Sequence, residues 1–456
     1  MQLSHTVRAI SATFDEPNLI ASAGLVPAVV LADRVGIAGL AEQWVTVPGS
    51  VGAHAGAKVM SLVAGMTAGA GCISDMGVLR HGAMGAVFTE ARAPSTLGTF
   101  LRSFTFGHVR QLDAVATRTL VALARTTPLL PGIDQRCLID IDDTIERVYG
   151  RRKQGAAFGY TRVRGLNAQL ATISTETAAP VLAATRLRKG NRNSGHGAAR
   201  MIADAVATAR RCGAAGEVLV RADSAYFNRA VVAAIRTAGA RFSVTIRQGP
   251  AVQAAIASID EGAWTRIQYP WQITDPDTGE LIDAAEVAEI EHTVFTSKPR
   301  YRPVTARLIV RRVPERNTTK LAGQDPMFPL FRYHALFTDS TRPLIDAEAE
   351  HRGHAIIEHV IADLKNSALA NLPSGKFTAN AAWLACAAIA FNLTRALGVA
   401  AGGSLAKAET ATIRARVINI PARAARSARR LHLHLPRDWL WESLWLNAWR
   451  HTTSAA

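Results

Sequence analysis

The chain has 456 residues, 48% hydrophobic and 19% charged, which excludes a disordered chain and leaves room for two or three domains with real cores. Lys and Arg number 52 against 36 acidic residues, a net charge of +16 with a sequence pI near 10.4, so a polyanionic partner, most simply nucleic acid, is expected. Cys72, Cys137, Cys212 and Cys386 are scattered without a Cys-x-x-Cys pair, which argues against a disulfide framework or structural zinc and suits a reducing cytoplasm.

In chain order, residues 1–125 read as helical. Apolar residues recur at three- and four-residue spacing over 18–32, 37–44, 55–66, 76–80, 97–104 and 112–123, with Gly and Pro between them. Such a module suits recognition of DNA ends through a helix in the major groove, and equally a structural or dimerising role. Beyond Pro131 the pattern alternates: strands at 137–141, 169–174 and 181–185, a helix at 198–211, a strand at 217–223, a helix at 227–238 and a strand at 241–247. That order implies a mixed sheet covered by helices over 132–248.

Residues 249–340 read as β, with strands at 264–269, 285–295, 305–313 and 333–338, and are expected to form an insertion rather than a continuation of the sheet. Helices return at 346–366 and 378–397 within a segment 341–400. The apolar run 381–390 is too short to span a bilayer and reads as a buried helix. Residues 401–456 are expected to be a basic helical tail, with Arg423, Arg426 and Arg430 at helical spacing and Trp441, Trp445 and Trp449 on one docking stripe.

Three places concentrate acids. The strand-like run Leu138-Ile139-Asp140-Ile141-Asp142-Asp143-Thr144 puts Asp140 and Asp142 on one face, where crowded carboxylates call for a cation or a hydrogen-bond network. By itself it reads equally as an edge strand entering an acidic turn. Asp223 ends an apolar strand, where a side chain is held by fixed backbone with its tip exposed. Glu358 shares a narrow helical stripe with His351, His354 and Lys365, beside an apolar stripe of Ile357, Val360, Ile361 and Leu364.

These runs, with Tyr149-Gly-Arg-Arg-Lys-Gln-Gly-Ala-Ala-Phe-Gly-Tyr160, Gly165-Leu-Asn-Ala-Gln-Leu-Ala171, Ala184-Thr-Arg-Leu-Arg-Lys-Gly190, Arg221-Ala-Asp-Ser-Ala-Tyr226 and the segment Pro421-Ala-Arg-Ala-Ala-Arg-Ser-Ala-Arg-Arg-Leu431, resemble the DDE transposases of the insertion sequence 1380 family. The resemblance covers most of the chain. It implies an RNase H-like α/β core, a mixed sheet flanked by helices, with a β-rich insertion between the second and third catalytic acids. On that pattern Asp142 is the first catalytic and metal-binding acid, Asp223 the second and Glu358 the third, with Asp140 and Asp143 in support. His351 and His354 stand where related transposases carry Tyr and Arg.

The resemblance also implies Mg²⁺ or Mn²⁺, since two divalent ions bound by carboxylates serve in-line attack on a phosphodiester. Lys365, His351, Arg352, His354, Arg151, Arg152, Lys153, Arg188 and Lys189 would contact DNA. The implied partners are double-stranded DNA, as terminal inverted repeats and target, and a second copy of the chain; no membrane is involved. The implied setting is the bacterial cytoplasm, on the nucleoid. A stacking role for Trp264 or Trp271 on a flipped base is weighed against core packing.

Overall fold

The computed structural model describes residues 1–267, 285–296, 302–314 and 331–454. After a two-residue strand β1 (Leu19–Ile20), helices α1 (Leu25–Arg34), α2 (Ile37–Trp44), α3 (Ala55–Ala68), α4 (Met84–Val87), α5 (Pro94–Arg102) and α6 (Phe106–Thr126) follow in turn. Then come strands β2 (Arg136–Arg147), β3 (Ala157–Phe158), β4 (Arg164–Ser174) and β5 (Val181–Lys189), α7 (Ala198–Arg211), β6 (Glu217–Ala222), α8 (Arg229–Thr237), β7 (Arg241–Thr245) and α9 (Pro250–Ala257). Strands β8 (Thr265–Ile267), β9 (Ala285–Val294), β10 (Val304–Pro314) and β11 (Phe331–Thr338) precede α10 (Leu344–Arg352), α11 (Ile356–Lys365) and α12 (Phe377–Ala401). The chain ends with α13 (Thr410–Ile413), β12 (Ala422–Ser427), β13 (Arg430–His434) and α14 (Glu442–Thr453).

Strand β2 is the axis of the main sheet. It pairs antiparallel with β4, which pairs antiparallel with β5, and on its other side it runs parallel to β6, itself parallel to β7. Its apolar residues Leu138, Ile139 and Ile141 are all buried, as a strand covered on both faces requires. Helix α7 packs against β2, β4 and β5, while α11 lies along β2. Helix α12, 25 residues long, packs against α3, α6, α14 and β5. It is long and apolar enough to cross a membrane by length and composition, yet 89% of its most apolar stretch is buried within the protein.

The mixed sheet between helices matches the expected class, and α2 and α7 fall on their expected residues. Five expectations are corrected. The acidic run is not a turn: β2 continues to Arg147, so Asp142 and Asp143 are strand residues in a central strand. The β segment after 249 continues the sheet, because β11 pairs antiparallel with β7 and carries β10, β9 and β8 with it.

The basic stretch Ala422–Ser427 and Arg430–His434 is a hairpin rather than a helix, with β12 also pairing β1 where a helix from residue 18 was expected. A strand exposes alternate residues, and Ala422 and Ala424 are buried while Arg423 is exposed. The expected helix 346–366 is broken into α10 and α11 by a 3₁₀ turn at Gly353–Ala355.

One hydrophobic cluster runs from Leu31 in α1 through Ile139 and Ile141 in β2 to Trp383 in α12, so the N-terminal helices share a core with the sheet. The tryptophan stripe does dock: Trp445 is buried in α14 and stacks on Trp449 at 5.3 Å between ring centroids. Trp264 lies under the Arg312 guanidinium, 4.3 Å from its ring centroid, which favours packing over a free stacking face. Trp271 lies outside the described residues.

Candidate active site

The sheet register brings the first two acids together. In the parallel pair β2–β6, Asp140 faces Arg221 and Ile141 faces Ala222. The next step along both strands sets Asp142 abreast of Asp223, on the same face. Asp223 caps the 3₁₀ turn Ser224–Tyr226, its Oδ1 accepting from the Ala225 amide at 3.0 Å. Burial pushes the Asp142 carboxyl up to about 6; the Asp143 amide, donating to Asp142 Oδ1 at 2.7 Å, opposes this and the charge of Asp223 adds to it. Burial likewise raises Asp223 above its ordinary value. Two carboxylates held this close without a cation resist ionisation, the state from which a hard divalent cation would release them.

Asp140 and Asp143 hold this strand in place. Asp140 is fully buried and receives two bonds of 2.7 Å from Arg221, through Nε and Nη2. His354 Nδ1 lies 3.0 Å from Asp140 Oδ1. Burial alone would raise Asp140, but Arg221 and His354 outweigh it and hold the carboxyl below its ordinary value. It is therefore a carboxylate that can only accept, which places the proton on His354 Nδ1. Arg221 also donates to the Glu350 carbonyl at 2.6 Å, tying in the end of α10. On the opposite face, Asp143 takes bonds from Asn167, Ser194 and the buried Arg188.

Helix α11 is seated by Ile357, Val360 and Leu364, all buried, each contributing on the order of 1.5–3 kcal/mol. Polar contacts set its register. His354 meets Asp140 just before the helix, and at its far end Lys365 Nζ donates to the Ile145 carbonyl at 3.1 Å. Eleven helical residues rise about 16 Å and five strand residues about 16 Å, so helix and strand run side by side in step. Glu358 lies in the first turn of α11, between these two anchors. It is exposed and has no hydrogen bond or ion pair among the described residues.

Among the described residues no three His, Cys, Asp or Glu side chains are grouped to hold one ion. Asp142 and Asp223, abreast on one face, would offer a pair of carboxylates to a hard divalent ion, whose remaining positions water and phosphate can fill. The oxygen-only donors and the raised Asp142 carboxyl fit that chemistry.

Several residues expected at DNA are committed elsewhere. His351 has both ring nitrogens against hydroxyls, Nδ1 to Ser243 and Nε2 to Thr245 at 2.9 Å each. Burial, with His354 and Arg221 nearby, pushes it down to about 3, so it is neutral and braces α10 on β7. His354 braces Asp140 as above. Arg188 gives its guanidinium to Asp143, Asn167 and the carbonyls of Asn193, Ser194 and His196. Lys153 donates to the Leu372 carbonyl, and Arg352 Nε donates to both Glu348 oxygens at 2.9 Å. Arg151, Arg152 and Lys189 are exposed.

The family model described as transposase DDE domain group 1 matches residues 4–453. The chain belongs to this DDE transposase family. No curated relative matches the chain. Membership in a transposase family implies a metal-dependent enzyme acting on DNA, the partner that the +16 charge also favours.

The sequence reading left Arg221 and Glu146 without roles. Arg221 carried a signal, since a lone charge inside Val-Leu-Val-Arg-Ala needs a buried counter-charge. Glu146 shares the Asp142 face, four residues on, and burial pushes it up to about 7 against the pull of Lys365, whose Nζ is 3.5 Å away.

Proposed function

We propose that this transposase is of the insertion sequence 1380 type, binding terminal inverted repeats, cleaving at the element ends and joining 3′-hydroxyls to target DNA. The observation that carries the reading is the β2–β6 register that sets Asp142 abreast of Asp223, with the Asp142 carboxyl raised; the exposed, unpaired Glu358 of α11 is taken as the third acid. The strand order β5-β4-β2-β6-β7, antiparallel then parallel about β2, supports an RNase H-like core. Strands β8 to β11, between Asp223 and Glu358, occupy the place of the expected insertion.

In this reading Asp142, Asp223 and Glu358 would together hold the Mg²⁺ or Mn²⁺ ions. Bound there, the ions would supply Lewis-acid stabilisation of the attacking and leaving oxygens in an in-line displacement. Asp140, Arg221 and His354 keep the strand and α11 from shifting, so that the acids stay opposed as charge develops. Lys365, anchored at the Ile145 carbonyl and beside Glu146, would offer only its remaining donors to a phosphate. Arg151, Arg152 and Lys189, exposed at neighbouring loop and strand ends, bind backbone phosphates without reading sequence. Residues 1–125 engage the ends as part of the same body as the sheet, and two copies synapse two ends in the nucleoid.

The test is a cleavage and joining assay on DNA carrying the element's own ends, with Mg²⁺ or Mn²⁺. Wild type should cut and join, and Asp142→Ala, Asp223→Ala and Glu358→Ala should each abolish chemistry while retaining end binding. Cleavage without joined product would instead mark a nuclease. End binding with no wild-type cleavage would mark a DNA-binding protein derived from a transposase. Activity retained in Asp142→Ala but lost in Asp140→Ala or Asp143→Ala would move the first acid.

A further inference from the structure

At the edge of the sheet, away from the three acids, a cavity of about 170 Å³ opens between α6, α7 and β5. Its charged lining is Arg110, Asp113, Arg118, Arg186, Asp204 and Arg211, a net charge of +2. Arg110 pairs with Asp113 at 2.7 Å and more loosely with Asp204 at 3.6 Å. Arg186 has only a 3.6 Å ion pair to that same Asp204 oxygen, and its buried Nε has no hydrogen-bond partner among the described residues. Asp204 is drawn outward by Arg200, whose Nε donates to it at 3.0 Å. Arg211 and Arg118 spend one nitrogen each on carbonyls of their own helices.

A half-buried guanidinium with an orphaned N–H, beside a second guanidinium, is unfavourable unless an acceptor arrives. Burial and the adjacent Arg110 both act to lower Arg186, and burial pushes Asp113 up to about 6, so the acids present offset the arginines only in part. A tetrahedral oxyanion would meet both needs at once, accepting from a planar donor fork while neutralising the excess charge.

We propose that this cavity is a phosphate-binding site formed by Arg186 and Arg110, with Arg118 and Arg211 at its rim. It is separate from the acids. Arg186 pairs in register with Gln169, which pairs with Asp143, two strand spacings or about 10 Å across the sheet and on the face opposite Asp142. The phosphate can be free or part of a DNA backbone, and the +16 charge of the chain favours the backbone.

The experiment titrates the full-length chain with inorganic phosphate at constant ionic strength, followed by calorimetry, and separately with a random-sequence duplex. Arg186→Gln should weaken phosphate binding about tenfold, as loss of a charge-assisted contact does. Asp204→Asn removes the carboxylate that competes for both arginines and should strengthen binding, an opposite sign that misfolding cannot produce. Arg186→Lys keeps the charge and should retain part of the affinity. A duplex response to the same variants, with the salt slope reduced by about one in Arg186→Gln, makes the source a backbone phosphate; a response confined to inorganic phosphate makes it a free anion. Neither ligand responding to Arg186→Gln or Asp204→Asn, or a response that chloride reproduces, overturns the site.

Discussion

Asp142→Asn removes the charge of the first acid while leaving its shape. Burial raises the native carboxyl from 3.8 to about 6. A raised acid is more stable protonated in the fold, so its stability contribution is complete below about pH 4 and is lost as pH rises through about 6. Two units correspond to at most about 3 kcal/mol, and the partial exposure of Asp142 reduces this to about 1–2 kcal/mol. Asparagine does not titrate, and its oxygen can still accept from the Asp143 amide. Asp142→Asn should therefore match wild type near pH 4 and exceed it by about 1–2 kcal/mol at pH 8 without divalent cations.

Adding Mg²⁺ should close that gap by stabilising wild type alone, because an ion that binds only the folded state adds to its stability. Urea unfolding followed by tryptophan fluorescence across pH 4–8 measures both effects. If Asp142→Asn is less stable than wild type at pH 8, or if Mg²⁺ stabilises both equally, the reasoning fails.

Glu358→Gln should leave stability within about 0.5 kcal/mol of wild type, since the side chain is exposed and unpaired, while abolishing DNA cleavage; a larger loss on thermal unfolding would make Glu358 structural. Asp140→Asn and Arg221→Met should each cost about 3–5 kcal/mol by stranding a buried charge, and the double variant clearly less than their sum. A double-mutant cycle in urea checks this, and additivity would refute the pairing. Arg188→Met should destabilise the fold without altering the salt dependence of duplex binding, whereas Arg151→Ala, Arg152→Ala and Lys189→Ala should each lower the salt slope by about one with stability unchanged. Equal salt slopes across all four would return Arg188 to the DNA surface.

Much of the architecture was legible because periodicity is local. The 3.6-residue repeat of 198–211 and the mostly apolar runs of β2 and β6 identify their elements directly, and the ordered motifs point to a DDE transposase. What failed was decided by pairing. Nothing local in Ala422–Ser427 distinguishes a helix face from a strand edge; pairing with β1 and β13 decides it. Likewise the β segment after 249 reads as a separate unit until β11 is seen bonded to β7. The basic residues divide for the same reason, because charge alone does not tell Arg188, turned inward to Asp143, from Arg151, left in solvent.

By itself, then, the sequence supplied the candidate chemistry: acids on a strand, at a strand end and on a helix, in a chain with charge enough for DNA. Tertiary structure decided which acid faces which. The parallel register of β2 and β6 sets Asp142 beside Asp223, and the contacts of His354 and Lys365 fix the ends of the segment that carries Glu358. Alternation along one strand splits neighbouring aspartates between faces, so Asp142 lies on the side of Asp223 while Asp143 is bound on the far side to Arg188, a distinction that arises only once the strand lies between two covering layers.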